Sequence, residues 1–157
     1  MRRAARAAHC ASSLTHACPL LRLLLFSHTL GVERHLFFGC RSATKDFIFQ
    51  SELERFERDG LLTTLHTAFS RDQEKKVYVQ QRIREAGASV ARLVLEEGAY
   101  VYVCGDGQRM ARDVHAALED VLRTHGAACL AAEGKSAEQK LAELAQRGVY
   151  VRDVWSP

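Results

Sequence analysis

Two short stretches hold the residues best suited to chemistry. In the first, Ser70-Arg71-Asp72-Gln73-Glu74-Lys75-Lys76-Val77-Tyr78-Val79-Gln80, the hydroxyls of Ser70 and Tyr78 and the cations of Arg71 and Lys76 could surround a compact dianion such as a phosphate monoester. A charge run of this kind is more often plain solvated surface, so it gains weight only beside a second feature. That feature is Cys104-Gly105-Asp106-Gly107, in which two glycines bracket an acid and let main chain turn tightly and approach a ligand closely. The ordinary alternative is a buried cysteine ending a core strand. Cys10, Cys18, His9 and His16 could be drawn together around a metal, but no Cys-x-x-Cys pair occurs and no metal centre is expected. A lone His66 reads as a packed or half-exposed side chain rather than a ligand.

The elements that must position these residues follow from periodicity. Ala99 to Cys104 is apolar and rich in β-branched and Tyr side chains, as suits a buried strand. Met110, Val114, Leu118, Val121 and Leu122 recur at helical spacing directly after the glycine turn. In open parallel sheets ligands sit at the carboxyl ends of strands, which is where Cys104, Gly105 and Asp106 fall. Upstream, Leu36 to Phe38 reads as a strand ending at Gly39, Cys40 and Arg41. Thr44 is expected to cap a helix through Phe49, Leu53 and Phe56, closed by Asp59-Gly60. Leu61 to Phe69 reads as a further strand, and Val90, Leu93 and Val94 as a helix stopping at Gly98. Ser136 and Gln139 form a capping box opening a helix through Leu141, Leu144 and Ala145, and Val149 to Trp155 is a last strand. Alternating strands and helices predict an α/β domain with a parallel sheet covered on both faces.

Composition sets the outer bounds. With 157 residues, 47% hydrophobic and 26% charged, the chain suits one globular domain with a core of its own. The net charge of +3 is concentrated at the amino end, where residues 1–34 carry Arg2, Arg3, Arg6, Arg22 and Arg34 against the single acid Glu33. The remainder is close to neutral, which argues against a general nucleic-acid surface. Five cysteines without regular spacing read as reduced thiols in an intracellular protein. Residues 1–34 are expected to be a poorly structured leader, either a mitochondrial presequence or the product of an alternative start, and residues 35–157 the folded domain. The apolar run Leu20 to Phe26 is interrupted by Arg22 and is too short to span a membrane.

Taken in order, Phe-Phe-Gly-Cys-Arg at 37–41, Phe-Ser-Arg at 69–71, Lys-Val-Tyr-Val-Gln at 76–80, Tyr-Val-Cys-Gly-Asp at 102–106 and the ending Asp-Val-Trp-Ser resemble the carboxyl-terminal NADPH-binding domain of the diflavin reductases. This is the family of cytochrome P450 reductase and methionine synthase reductase. The stretches at 90–97 and 113–118 look closest to the methionine synthase reductase branch. The resemblance implies a Rossmann-like parallel sheet flanked by helices, of the ferredoxin-NADP reductase type. It also implies that Ser70, Arg71, Lys76 and Tyr78 bind the 2′-phosphate of NADPH, with Gln80 nearby, and that Arg41 contacts the cofactor's phosphates. Cys104, Gly105 and Asp106 would lie beside the nicotinamide and Met110 near the nucleotide. Asp153 would complete a polar network with Cys104, and Trp155 would stack on the isoalloxazine of FAD and swing away before nicotinamide enters.

The departures carry equal weight. The family has a first strand and a glycine- and threonine-containing pyrophosphate loop upstream of the 37–41 motif, whereas Gly31 is the only glycine in residues 1–34. The FAD and FMN domains of the full-length family are also absent. The chain is therefore expected to be truncated at its first βα unit and to depend on flavin domains and a downstream acceptor, methionine synthase or cytochrome P450 in type, supplied elsewhere. The competing expectation is a catalytically incompetent fragment serving as a nucleotide-binding or interaction module. A cytoplasmic location is expected, or a mitochondrial one if the leader is imported.

Overall fold

The computed structural model of the chain describes residues 33–155 and, as backbone alone, residues 22–27. Five strands, β1 (Arg22–Ser27), β2 (Arg34–Cys40), β3 (Thr64–Phe69), β4 (Tyr100–Asp106) and β5 (Tyr150–Trp155), form one sheet in the order β3-β2-β1-β4-β5. Among the described residues six helices connect or flank them: α1 (Gln50–Arg58), α2 (Val79–Glu85), α3 (Gly87–Leu95), α4 (Met110–His125), α5 (Ala127–Glu133) and α6 (Ala137–Gln146). β2 pairs with β3, and β4 with β5, in parallel. β1 is antiparallel to both β2 and β4. The four other strands therefore share one direction, and their carboxyl ends all reach the same edge of the sheet.

That middle strand departs from the sequence reading, which expects parallel strands throughout and a poorly structured segment through residue 34. Its six residues are extended between the two parallel pairs, where each neighbour offers a complete ladder of main-chain partners. The Cys10, Cys18, His9 and His16 grouping lies outside the described residues.

One face of the sheet carries the core. Phe37, Ala68, Val101 and Val103 meet Val79 and Ile83 of α2, Val90 and Val94 of α3, and Val114, Leu118, Val121 and Leu122 of α4. The opposite face is covered in part: Phe47 lies between Phe38 and Phe69, with ring centroids 4.8 and 5.4 Å apart. Farther along that face Tyr100 and Tyr102 stack at 6.2 Å and stay 41% and 42% exposed, so the expected cover on both faces is incomplete at β4.

Among the described residues one helix start carries a side-chain cap. Ser136 Oγ accepts from Gln139 N at 3.1 Å and Gln139 Oε1 accepts from Ser136 N at 2.8 Å, giving α6 the predicted capping box. Thr44 does not cap α1. Helix α1 starts at Gln50 after Phe49, whose left-handed φ of 56° turns the chain into it, because residues 41–46 are first folded back on themselves by a side chain described below. The strand expected from Leu61 begins at Thr64. Helix α5 has no counterpart in the sequence reading.

Candidate functional site

The carboxyl ends of β2 and β3 form a cleft of about 250 Å³ lined by Gly39, Cys40, Arg41, Asp46, Ser70, Arg71, Lys76 and Tyr78. Its construction is simple. The parallel ladder continues past the strands: Ser70 N donates to Cys40 O at 3.0 Å and Arg71 N to Arg41 O at 2.8 Å. This zipper places Arg41 and Arg71 side by side. Tyr78 precedes α2, whose Val79 and Ile83 are fully buried, so the core fixes the far end of the 70–78 loop.

Two carboxylates, Asp46 in the wall and Asp72 outside it, brace the loops. Asp46 Oδ2 accepts from Arg41 N at 3.0 Å and its Oδ1 from Ser42 N at 2.7 Å, while Asp72 Oδ2 accepts from Ala43 N at 2.7 Å. Slight burial pushes the Asp46 carboxyl upward, but the two amides outweigh it and hold the group below the usual carboxylate range. The Cys40 thiol is pushed up to about 12 by burial and by the neighbouring Asp46, so it stays neutral and inert at physiological pH. In contrast to these satisfied acids, none of the salt bridges among the described residues involves Arg41, Arg71 or Lys76. Three cations and two hydroxyls around one concavity suit a phosphate-bearing ligand.

The second group sits at the same edge, on β4 and β5. Cys104 pairs with Asp153 and Asp106 with Trp155 in the parallel register, so by the pleat these four side chains project from one face, the one that also bears Tyr100 and Tyr102. Burial first, and the Asp153 charge second, raise the Cys104 pKa above its ordinary value. Gly105 has φ of 141°, backbone that favours glycine. Asp106 Oδ1 accepts from Gln108 N at 2.9 Å, and Gly107 N donates to Trp155 O at 2.8 Å, which ties the turn to the last residue of β5. A Cβ at Gly107 would lie 3.3 Å from that carbonyl, so the turn and β5 are in close contact.

Four strand spacings of about 4.8 Å separate β3 from β5, so the two groups lie towards opposite ends of one sheet edge. Two residues named from the sequence are placed differently from the rest. Met110 is 3% exposed and supports the turn from within the core rather than presenting a surface. Gln80 does not line the cleft, and its buried Oε1 has no hydrogen-bond partner. Sequence reasoning missed Asp46, Cys40 and Gly39 as cleft residues. The available signal for Asp46 was an acid placed just beyond a strand end, where amides need acceptors.

Residues 14–116 match the family described as the oxidoreductase NAD-binding domain. The chain is also similar to sulfite reductase (NADPH) flavoprotein alpha-components. It is 45% identical over 125 residues to that of Serratia proteamaculans, covering 80% of this chain and 20% of the relative. It is 46% identical over 120 residues to that of Cronobacter sakazakii, covering 76% and 19%. The Yersinia pestis protein is 44% identical over 120 residues, covering 76% and 19%. The chain thus spans about a fifth of the length of the relatives it matches.

Proposed function

Because the chain belongs to the family of oxidoreductase NAD-binding domains, in its diflavin-reductase branch, we propose that it is the NADPH-binding portion of a flavoprotein reductase and serves hydride transfer from NADPH to FAD. The observation that carries this reading is the convergence of Arg41, Ser70, Arg71, Lys76 and Tyr78 on one cleft. These donors fit the 2′-phosphate and neighbouring phosphates of NADPH. When bound, the nicotinamide supplies the hydride and a flavin accepts it. The protein's own part is to hold and orient.

In this reading Ser70, Arg71, Lys76 and Tyr78 grip the phosphate end, which makes NADPH preferred over NADH. Gln80 offers its unpartnered oxygen behind them. Gly105 and Asp106 shape the turn under the nicotinamide, with Met110 as its buried support. Cys104 stays a neutral thiol beside Asp153, so no thiolate competes with hydride chemistry. Trp155, the last residue of β5, would stack on the flavin. FAD, and FMN in full-length relatives, would be held by domains outside this chain. The terminal acceptor is selected there as well. Residues 90–97 and 113–118 are similar to the methionine synthase reductase branch, whereas the relatives matched over most of the chain are sulfite reductase flavoproteins, and both belong to the same reductase class. Among the described residues no helix is long and apolar enough to cross a membrane, and a cytoplasmic location belongs to the same reading.

A second reading, a dinucleotide-binding module without turnover, is favoured by the direction of β1. Its carboxyl end at Ser27 lies at the sheet edge away from the cleft, opposite to the carboxyl ends of the four other strands.

The test is retention on an immobilised 2′,5′-ADP matrix and elution by NADPH. Arg71→Ala or Lys76→Ala should weaken NADPH binding about tenfold or more, the loss of one charge-assisted hydrogen bond of about 1.5 to 3 kcal/mol, and should leave NADH binding nearly unchanged. Failure of the unaltered chain to bind at low salt removes the first reading and the second together. NADPH-dependent dye reduction after flavin domains are supplied separates the two.

A further inference from the structure

We propose that Asp46 and Asp72 are positioning residues of the phosphate cleft, which take up the backbone N–H groups of residues 41–43 and thereby leave the ligand's phosphate to be read by side chains alone. This rests on the reading of the cleft as a site for the 2′-phosphate of NADPH. Consecutive amides at a strand end make an anion-binding concavity when they are free. Here Arg41 N and Ser42 N are bound by Asp46 at 3.0 and 2.7 Å, and Ala43 N by Asp72 at 2.7 Å. The concavity is already filled by the protein's own anions.

The two acids do different work. Asp46 lies in the cleft wall and folds its own loop back, which sets the direction in which Arg41 leaves the strand. Asp72 reaches across 29 residues of sequence from the loop that bears Ser70 and Arg71. Together with the Ser70–Cys40 and Arg71–Arg41 main-chain bonds, it clasps the two loops at a third point. Arg41 and Arg71 repel each other, so without the clasp the loops are free to splay and the cations no longer converge.

The chemistry predicts an asymmetry between the two sites. Asp46 uses both of its oxygens as acceptors, and asparagine offers only one oxygen, its nitrogen being a donor that would face the Arg41 amide. Asp72 accepts from Ala43 N through Oδ2 and also from the Ser42 hydroxyl, and asparagine can keep both contacts, because its oxygen can take the amide and its nitrogen can donate to a hydroxyl that also accepts.

The experiment titrates 2′,5′-ADP and 5′-ADP against the full chain and its Asp46→Ala, Asp46→Asn, Asp72→Ala and Asp72→Asn variants, with a thermal melt of each. The expected result is that D46A and D46N both weaken 2′,5′-ADP about tenfold, that D72A weakens it about fivefold, and that D72N stays within about twofold of the unaltered chain. A merely structural role would instead lower the melting temperature and weaken both ligands alike. Tighter binding by D46N would overturn the proposal, since Asp46 would then act only as a repelling charge. Equal affinities for D72A and D72N would overturn it as well, and the Asp72 pair decides if the Asp46 variants do not fold. If the unaltered chain does not discriminate 2′,5′-ADP from 5′-ADP, the reading of the cleft itself fails.

Discussion

At the scale of single residues, the protonation state of Cys104 is set by where the strand puts it. Burial and the adjacent Asp153 both disfavour the thiolate, and Asp153 is the part that can be removed without touching the packing. Asp153→Asn should lower the Cys104 pKa and speed its alkylation by iodoacetamide at pH 8 several-fold, followed peptide by peptide in a mass spectrometer. An unchanged rate would deny the contact. Cys40, pushed up to about 12, serves as the internal control and should remain slow in both proteins.

His66 gives a second residue-scale prediction. It stacks on Phe37 at 4.2 Å, and its Nε2 lies 3.2 Å from His35 Nδ1. Burial, then the proximity of His35, lowers its pKa from 6.5 to about 4; Glu57 and Glu85 oppose this and Arg82 adds to it. The unfolded chain therefore takes up a proton before the folded one does. Stability should be complete above about pH 6.5 and decline as the pH falls towards 4. In His66→Gln, denaturant midpoints across this interval should be flatter with pH than in the unaltered chain.

At the scale of elements, helix ends report how far local chemistry reaches. The Ser136 capping box is legible because both partners lie within one turn of sequence. Ser136→Ala should cost about 1 kcal/mol and lower the thermal midpoint measured by circular dichroism. Thr44 meets the same local rule and caps nothing, because its Oγ1 lies 3.3 Å from Ser42 Oγ and the helix starts only at Gln50. The strand at Arg22–Ser27 shows the same limit. Its apolar residues suit a strand, but its place and direction depend on the ladders that β2 and β4 present.

At the scale of the whole molecule, stability is unevenly distributed. Helix α1 buries none of its residues, whereas α4 buries Met110, Ala111, Val114, Ala117, Leu118, Val121 and Leu122 against the sheet and its neighbours. Backbone amides of α1 should exchange with deuterium through local opening, orders of magnitude faster than those of α4, which should open only with the whole domain. Equal protection in a residue-resolved exchange experiment would contradict this core. The cleft lies between these extremes, with Tyr78 at the start of a well-buried helix and Arg41 on a loop held by carboxylates.

The alternation of strands and helices, the glycine turn after Cys104 and the residue types able to hold a phosphate are legible in the sequence, because each is written within a few neighbouring positions. Long-range pairing is what sets Arg41 and Arg71, thirty positions apart, side by side, gives the amides of residues 41–43 to Asp46 and Asp72, and runs the middle strand against its neighbours. The reason is physical. Propensity and periodicity act over one turn or one pleat, whereas pairing direction and the convergence of like charges are settled by backbone partners brought from distant parts of the chain.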